Sequence, residues 1–227
     1  MKLSNKILIG LFGFLFLYMI VAFTEMRFKG DLNQLDRSNS ISETVDIPRV
    51  NYIKLPDLNQ NITILGADTT KIDVRSVAGD VLHHLNYDII GDTLVINSME
   101  LESKKAAHIY IYVSNSSFRG LSTSNSGVNI GNLQLETLDI HQDDGWIRMS
   151  DSNIIGRLNL TAQNYAYFSF LKGEIDTLNT TIHGSEVSIP QPMKLVKGSM
   201  SNGSYLHLQG TSEIQFKKDK GSRLILN

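Results

Sequence analysis

The side chains suited to chemistry are few: six histidines, an aspartate cluster around the one tryptophan, and a short alternating run of aromatics. The histidines are His83, His84, His108, His141, His183 and His207, and none forms the i,i+4 pair that places two imidazoles on one helix face for a metal. His207 lies between Leu206 and Leu208, so in a strand it faces away from the core. Asp139, Asp143, Asp144 and Asp151 stand close to Trp146. Paired carboxylates beside an exposed aromatic ring could activate water across a glycosidic bond or hold Ca²⁺. Asp143-Asp144-Gly145, however, is also a turn sequence, and the reading favoured is a solvated corner. Tyr165, Tyr167, Phe168 and Phe170 alternate; the phenylalanines fit an inward row, which leaves Tyr165, Tyr167 and Trp146 at the outer surface, where rings stack on sugars or partner proteins. Trp146, Tyr165, Tyr167, Asp143 and Asp144 are therefore the candidate surface-binding residues. No catalytic residue, cofactor site or metal site is assigned, and the expectation is a protein that is not an enzyme.

Composition narrows the classes further. The chain has 227 residues, 41% hydrophobic and 19% charged, with no cysteine. Disulfide scaffolds, thiolate metal sites and a cysteine nucleophile are excluded. A net charge of −2 lacks the basic footprint of a nucleic-acid binder. Five Asn-x-Ser/Thr sequons (Asn61, Asn115, Asn159, Asn179 and Asn202) follow from a surface rich in Ser, Thr and Asn and carry no glycosylation assignment.

Three segments organise the elements that must position these side chains. Ile7 to Phe23 is a run of 17 residues without charge, about 25 Å long as a helix, close to the thickness of a hydrocarbon core. Lys2 and Lys6 precede it, which keeps the N-terminus cytoplasmic and translocates the rest. A cleaved signal peptide would need small residues at the cut site; Ala22 is the one candidate, and Ile20 two residues earlier is bulky. A buried helix would show a polar face. Residues 1–30 are thus read as a cytoplasmic tip and an uncleaved single-span transmembrane anchor. Lys2, Lys6, Arg27 and Lys29 against Glu25 leave this part at +3 and the exported remainder at −5. Residues 31–48 are polar, without a sustained period, and read as a linker or a loosely packed lead-in.

From residue 49 to 227 the pattern is all strand. Apolar residues alternate at Ile62–Ile64, Ile72–Val74, Leu94–Ile96 and Ile109–Val113, with Gly66 and Gly91-Asp92 at turns. Residues 81–90 could line a helix face but run into a Gly-Asp turn and read as strand. Beyond residue 120 the triplets Leu138-Asp139-Ile140, Leu158-Asn159-Leu160, Leu178-Asn179-Thr180 and Gly198-Ser199-Met200 recur at 20-residue steps. Pairs at Ile147/Met149, Phe168/Phe170, Val187/Ile189 and Leu206/Leu208 follow each, and a third apolar position recurs at Ile154, Ile175, Leu195 and Ile214. Strands this short cannot hold a sandwich core singly, but stacked at about 4.8 Å they share one interior, so the period predicts an all-β solenoid preceded by β-strands. An antiparallel β-sandwich is the alternative, because hairpins also give short alternating runs.

The order NITIL, IDV, GDTLVIN, HIYIYV and LSTSNSGVNI, followed by degenerate L-x-L and V-x-I coils, resembles the bacterial head-GIN domain, a family of putative auto-transporter adhesin heads of Bacteroidetes type. The resemblance covers roughly residues 48–227, and Ser124-Asn125-Ser126-Gly127-Val128-Asn129-Ile130 is its most specific element; later coils keep fragments such as His183-Gly184-Ser185 and Asn202-Gly203-Ser204. It implies a right-handed parallel β-helix and no particular activity.

Three functional readings follow. The first is a membrane-anchored, non-enzymatic, adhesin-like β-helix with a binding or structural role in the cell envelope, its C-terminal domain periplasmic or extracytoplasmic. It is held by residues 7–23 and meets an envelope glycan or protein partner, with no nucleic acid. The second is a carbohydrate-active enzyme using the Asp143/Asp144 corner. The third is an accessory subunit of an envelope or transport assembly. Near the C-terminus, Lys217, Lys218, Lys220 and Arg223 crowd a last short strand, which is how edges are protected from pairing.

Overall fold

The computed structural model describes residues 3–29, 40–58, 60–77, 79–101 and 106–226, with the side chains of the N-terminal helix described over 10–24. The chain divides into Met1–Ser40 and Ile41–Asn227. In the first unit α1 runs from Leu3 to Lys29. Its described large side chains, among them Leu11, Phe12, Phe14, Leu17 and Phe23, are exposed on every face, so it has no apolar stripe with a polar back. Among the described residues no helix is long and apolar enough to cross a membrane. The expected span of 7–23 begins ahead of the described side chains.

The second unit opens with β1 (Ile41–Asp46), which lies inside the stretch expected as linker and pairs antiparallel with a later strand. Then come β2 (Tyr52–Leu55), β3 (Asn61–Ala67), β4 (Lys71–Ser76), a 3₁₀ turn at Leu82–His84, β5 (Leu85–Ile90), β6 (Thr93–Met99) and β7 (Ala107–Ser114). The ambiguous residues 81–90 are thus divided between the 3₁₀ turn and a strand. From Gly120 the chain repeats one unit, a longer strand followed by a short one. The pairs are β8 (Gly120–Ser124) with β9 (Gly127–Gly131), β10 (Gln134–Asp143) with β11 (Trp146–Met149), and β12 (Asn153–Gln163) with β13 (Tyr167–Phe170). They continue as β14 (Gly173–His183) with β15 (Glu186–Ile189), β16 (Leu195–Ser201) with β17 (Tyr205–Leu208), and β18 (Glu213–Lys218) with β19 (Arg223–Leu226).

Each pair is one coil of a parallel β-helix. The first strands form a nine-stranded sheet, β18-β16-β14-β12-β10-β8-β2-β6-β5, and the second strands lie in a ten-stranded sheet, β1-β4-β7-β3-β9-β11-β13-β15-β17-β19. From β8 onward every pairing is parallel, which rules out the antiparallel sandwich. Antiparallel pairing is confined to the N-terminal end, where β4 and β5 pair with the outermost coil, β6/β7, and β1 with β4.

Alternation sends one row of each strand inward. Ile140 and Leu160 stack inside the nine-stranded sheet, and Ile147, Phe168, Val187 and Leu206 stack inside the ten-stranded one, all nearly or wholly buried. Three expected positions are corrected, the first being Leu195, which aligns with Thr177 and Glu213 while Val196 takes the core place between Leu178 and Ile214. Ile154 faces out, half exposed, and its neighbour Ile155 pairs with Ile175 in the core, because the strand bends between Ile155 and Leu158 and the period of two fails there. Gly198 aligns with Thr180, not Leu178, so that step is 18 residues; a slip of two leaves every side chain on its own face. At Gly198, with φ +142°, an added Cβ would meet the Thr180 carbonyl oxygen at 1.8 Å, so this coil approaches its neighbour more closely than any other residue type permits.

Candidate functional site

One corner recurs in every coil, between the long strand and the short one. Its turn residues are left-handed: Asn125, Asp144, Asn164, Tyr165, Gly184, Asn202 and Gly203 have φ between +46° and +71°. Asn, Asp and Gly tolerate that region, which is why these residue types recur there. The next residue is small and buried, and in several coils it is a serine whose oxygen accepts a backbone N–H from the coil before. Ser126 accepts from Leu58, Ser185 from Ala166, Ser204 from Ser185 and Ser222 from Ser204, at 3.1 to 3.4 Å. These bonds fix the height of each corner on its neighbour.

The residue after that corner points outward, and parallel register stacks these residues into a row. Trp146 pairs with Tyr167, Tyr167 with Glu186, Glu186 with Tyr205 and Tyr205 with Arg223. At about 4.8 Å per coil, the Tyr167 and Tyr205 backbones lie about 10 Å apart with Glu186 between them. The indole of Trp146 lies across Gly127, where any Cβ would meet the ring at 2.6 Å. The Arg148 guanidinium stands 5.7 Å from that ring and the Arg223 guanidinium 5.8 Å from the Tyr205 ring. Tyr165, in the turn itself, is 87% exposed. Tyr165, Tyr167, Glu186, Asn202, Gly203 and Tyr205 surround a cleft of about 400 Å³.

The predicted aromatics are thus brought together, Trp146 and Tyr167 as register neighbours and Tyr165 at the rim. The predicted acids hold the corner itself. The Asn164 side-chain amide donates to Asp143 Oδ1 at 2.6 Å, and Asp144 Oδ1 accepts the Gly145 N–H at 2.6 Å. Asp139 sits on the outer face of β10, where it accepts from Asn159, which in turn accepts from Asn179. Asp151 lies beside Gly131 at the other corner. The four aspartates therefore occupy three places, with Asp143 and Asp144 together at the corner.

The histidines are dispersed too. His141 stacks in the row of Thr161 and Thr181, whereas His183 follows Asp143 and Gln163, so the two lie in different rows. His183 Nδ1 lies 3.0 Å from Ser201 Oγ, and His108 Nε2 lies 2.7 Å from Thr63 Oγ1. Among the described residues no group of three His, Cys, Asp or Glu side chains could hold a metal ion.

Sequence reasoning missed Glu186, Asn202 and Tyr205. For Glu186 and Tyr205 the signal was present, since each stands one place before an inward residue, Val187 and Leu206; Asn202 is a turn residue outside that row. A second concavity, about 660 Å³, runs over the outer face of the nine-stranded sheet from Tyr52 to Lys197, with the Asp139–Asn159–Asn179 ladder along it.

No family model matches the chain, and no curated protein does. Solved structures do match it in fold. A putative adhesin from Bacteroides fragilis superposes with a TM-score of 0.58 at 10% identity, over 83% of this chain and 97% of that one. A putative lipid binding protein from Parabacteroides distasonis gives 0.61 at 10% identity, again over 83% and 97%. At this identity the likeness to both structures is one of fold alone.

Proposed function

We propose that the protein is a membrane-tethered, non-enzymatic, adhesin-like β-helix that binds a component of the cell envelope through its coil-aligned aromatic row. The observation that carries this reading is the row itself: Trp146, Tyr167 and Tyr205 project from one register position of three coils. Exposed rings held on a rigid sheet lose little conformational freedom on binding. The tether is the uncharged run from Ile7 to Phe23, with Lys2 and Lys6 on its cytoplasmic side and the β-helix outside the cytoplasm. The non-enzymatic reading is supported by Asp143 and Asp144 each accepting a hydrogen bond within the corner, the role expected of turn residues. A name given to one solved relative, putative lipid binding protein, keeps an amphiphilic envelope component among the ligands to be tried.

The test uses full-length protein in detergent micelles, sedimented with isolated envelope fragments of the source cell. Wild type is expected to co-sediment, and the triple variant Trp146→Ala, Tyr167→Ala, Tyr205→Ala to lose at least about tenfold in bound fraction. Equal binding by the variant would remove the row from the proposal, and no binding by wild type would remove the binding role. Protease added to intact spheroplasts is expected to digest the β-helix and leave an N-terminal tag intact; protection of both ends would overturn the orientation.

A further inference from the structure

We infer that the cleft flanked by Tyr167 and Tyr205 takes a linear, β-linked glycan built from neutral or N-acetylated hexoses, with the two tyrosines meeting every second ring. This rests on the binding role proposed above and names the ligand class.

The spacing argues first. Tyr167 and Tyr205 belong to one outward row, two coils apart, so their attachment points repeat at about 10 Å along a straight line. In an extended β-1,4-linked chain every second ring presents the same face, and that repeat is close to two coils. An α-1,4-linked chain curls and cannot follow a straight row of rings. The rigid parallel stack keeps the two tyrosines in line, because each is fixed by ladder hydrogen bonds to both neighbouring coils.

The groups in and around the cleft argue second. A pyranose offers an apolar C–H face and a rim of hydroxyls. Tyr167 and Tyr205 are 39% and 42% exposed, enough to present a ring surface while the sheet fixes the base of each side chain. Arg223 stands 5.8 Å from the centre of the Tyr205 ring and holds it at the cleft edge. Glu186 lies between the two tyrosines as a hydroxyl acceptor, and the Asn202 side chain lines the same cleft with both a donor and an acceptor. Gly184 and Gly203 form part of the wall, so a ligand reaches backbone there without meeting a side chain. Tyr165 stands at the mouth.

Charge argues third. The Glu186 carboxylate sits midway between the two tyrosines and disfavours a uronate, sulfate or phosphate on the ring above it, whereas Arg223 stands beyond Tyr205 at the end of the row. That selects neutral and N-acetylated units.

The experiment is calorimetric titration of full-length protein in detergent micelles with cellotetraose and chitotetraose, with maltotetraose and tetragalacturonate as comparisons. At least one β-linked neutral probe is expected to bind about tenfold or more tightly than maltotetraose and tetragalacturonate. Tyr205→Ala and Tyr167→Ala are each expected to weaken it about tenfold. Glu186→Gln is expected to narrow the gap between neutral and anionic probes. All three side chains project from the surface, and an unchanged unfolding midpoint confirms that each variant is folded. No heat with either β-linked probe, equal binding of maltotetraose, or full binding by folded Tyr205→Ala would each overturn the inference. If wild type ignores every tetrasaccharide yet still sediments with envelope fragments through the aromatic row, the glycan assignment fails and the binding role stands. A protein partner is then the occupant.

Discussion

Asp219 is the carboxylate most tightly employed near the cleft. It accepts the backbone N–H of Asn202 through Oδ2 and that of Ser222 through Oδ1, both at 2.8 Å. Hydrogen bonding from Ser222, and then from Asn202, holds its carboxyl below the ordinary value of 3.8. A carboxyl depressed in the folded state contributes stability that is present above its unfolded value and is lost as pH falls through the folded one. The prediction is that Asp219→Asn lowers the unfolding midpoint at neutral pH, and that the difference from wild type closes as pH drops below 3.8. A difference that persists undiminished in acid would show that the residue acts by packing. Sequence reading reached the local role of Asp143-Asp144-Gly145, because turn chemistry is written in adjacent residues. It did not reach Asp219, whose partner Asn202 lies a coil away and is found only when the step between coils is known.

Coil-to-coil registration has a contribution from the corner serines beside that of the apolar rows. Ser204 is fully buried, its oxygen accepts the Ser185 N–H and its hydroxyl donates to the Ser201 carbonyl. Ser204→Ala leaves the buried Ser185 N–H without its partner, while the Ser201 carbonyl keeps the Gly184 N–H, and a loss of about 1–3 kcal/mol is expected from chemical denaturation at constant m-value. Because Ser185 and Ser204 directly precede Glu186 and Tyr205, the same variant is expected to weaken ligand binding without altering any side chain that touches the ligand. A stability loss with affinity unchanged would mean that the row is positioned by the sheets and not by the corner. Inward pairs such as Phe168/Phe170 were legible because alternation with a period of two is a strong signal. The step from Thr180 to Gly198 was not, since neither residue marks the inward row with an apolar side chain. The adjacent Ile154 and Ile155 were exchanged because a bend interrupts the alternation.

At the scale of the molecule the coils do not stack in chain order. The β2/β3 coil is made first in sequence yet lies between β6/β7 and β8/β9, with parallel neighbours on both sides. Sequence periodicity could not show this, because pairing between segments tens of residues apart leaves no local mark. Asn51, just ahead of β2, is gripped from two directions: its N–H and side-chain amide donate to Asp92, and its carbonyl accepts from Arg119 and Gly120. The strand nearest the N-terminus, β1, is by contrast the outer edge of its sheet and pairs with β4 alone. Such an arrangement has a mechanical meaning. Load applied ahead of Ile41 peels β1 away one bond at a time, and then reaches a strand that cannot leave until ladders on both flanks give way together. Single-molecule pulling between residues 40 and 186 is expected to show an early low-force release of β1 and a later, distinctly stronger event; one weak event would count against it. In this order of yielding a short sacrificial extension absorbs the first tug, and the coils that display the aromatic row stay folded behind a strand locked in from both sides.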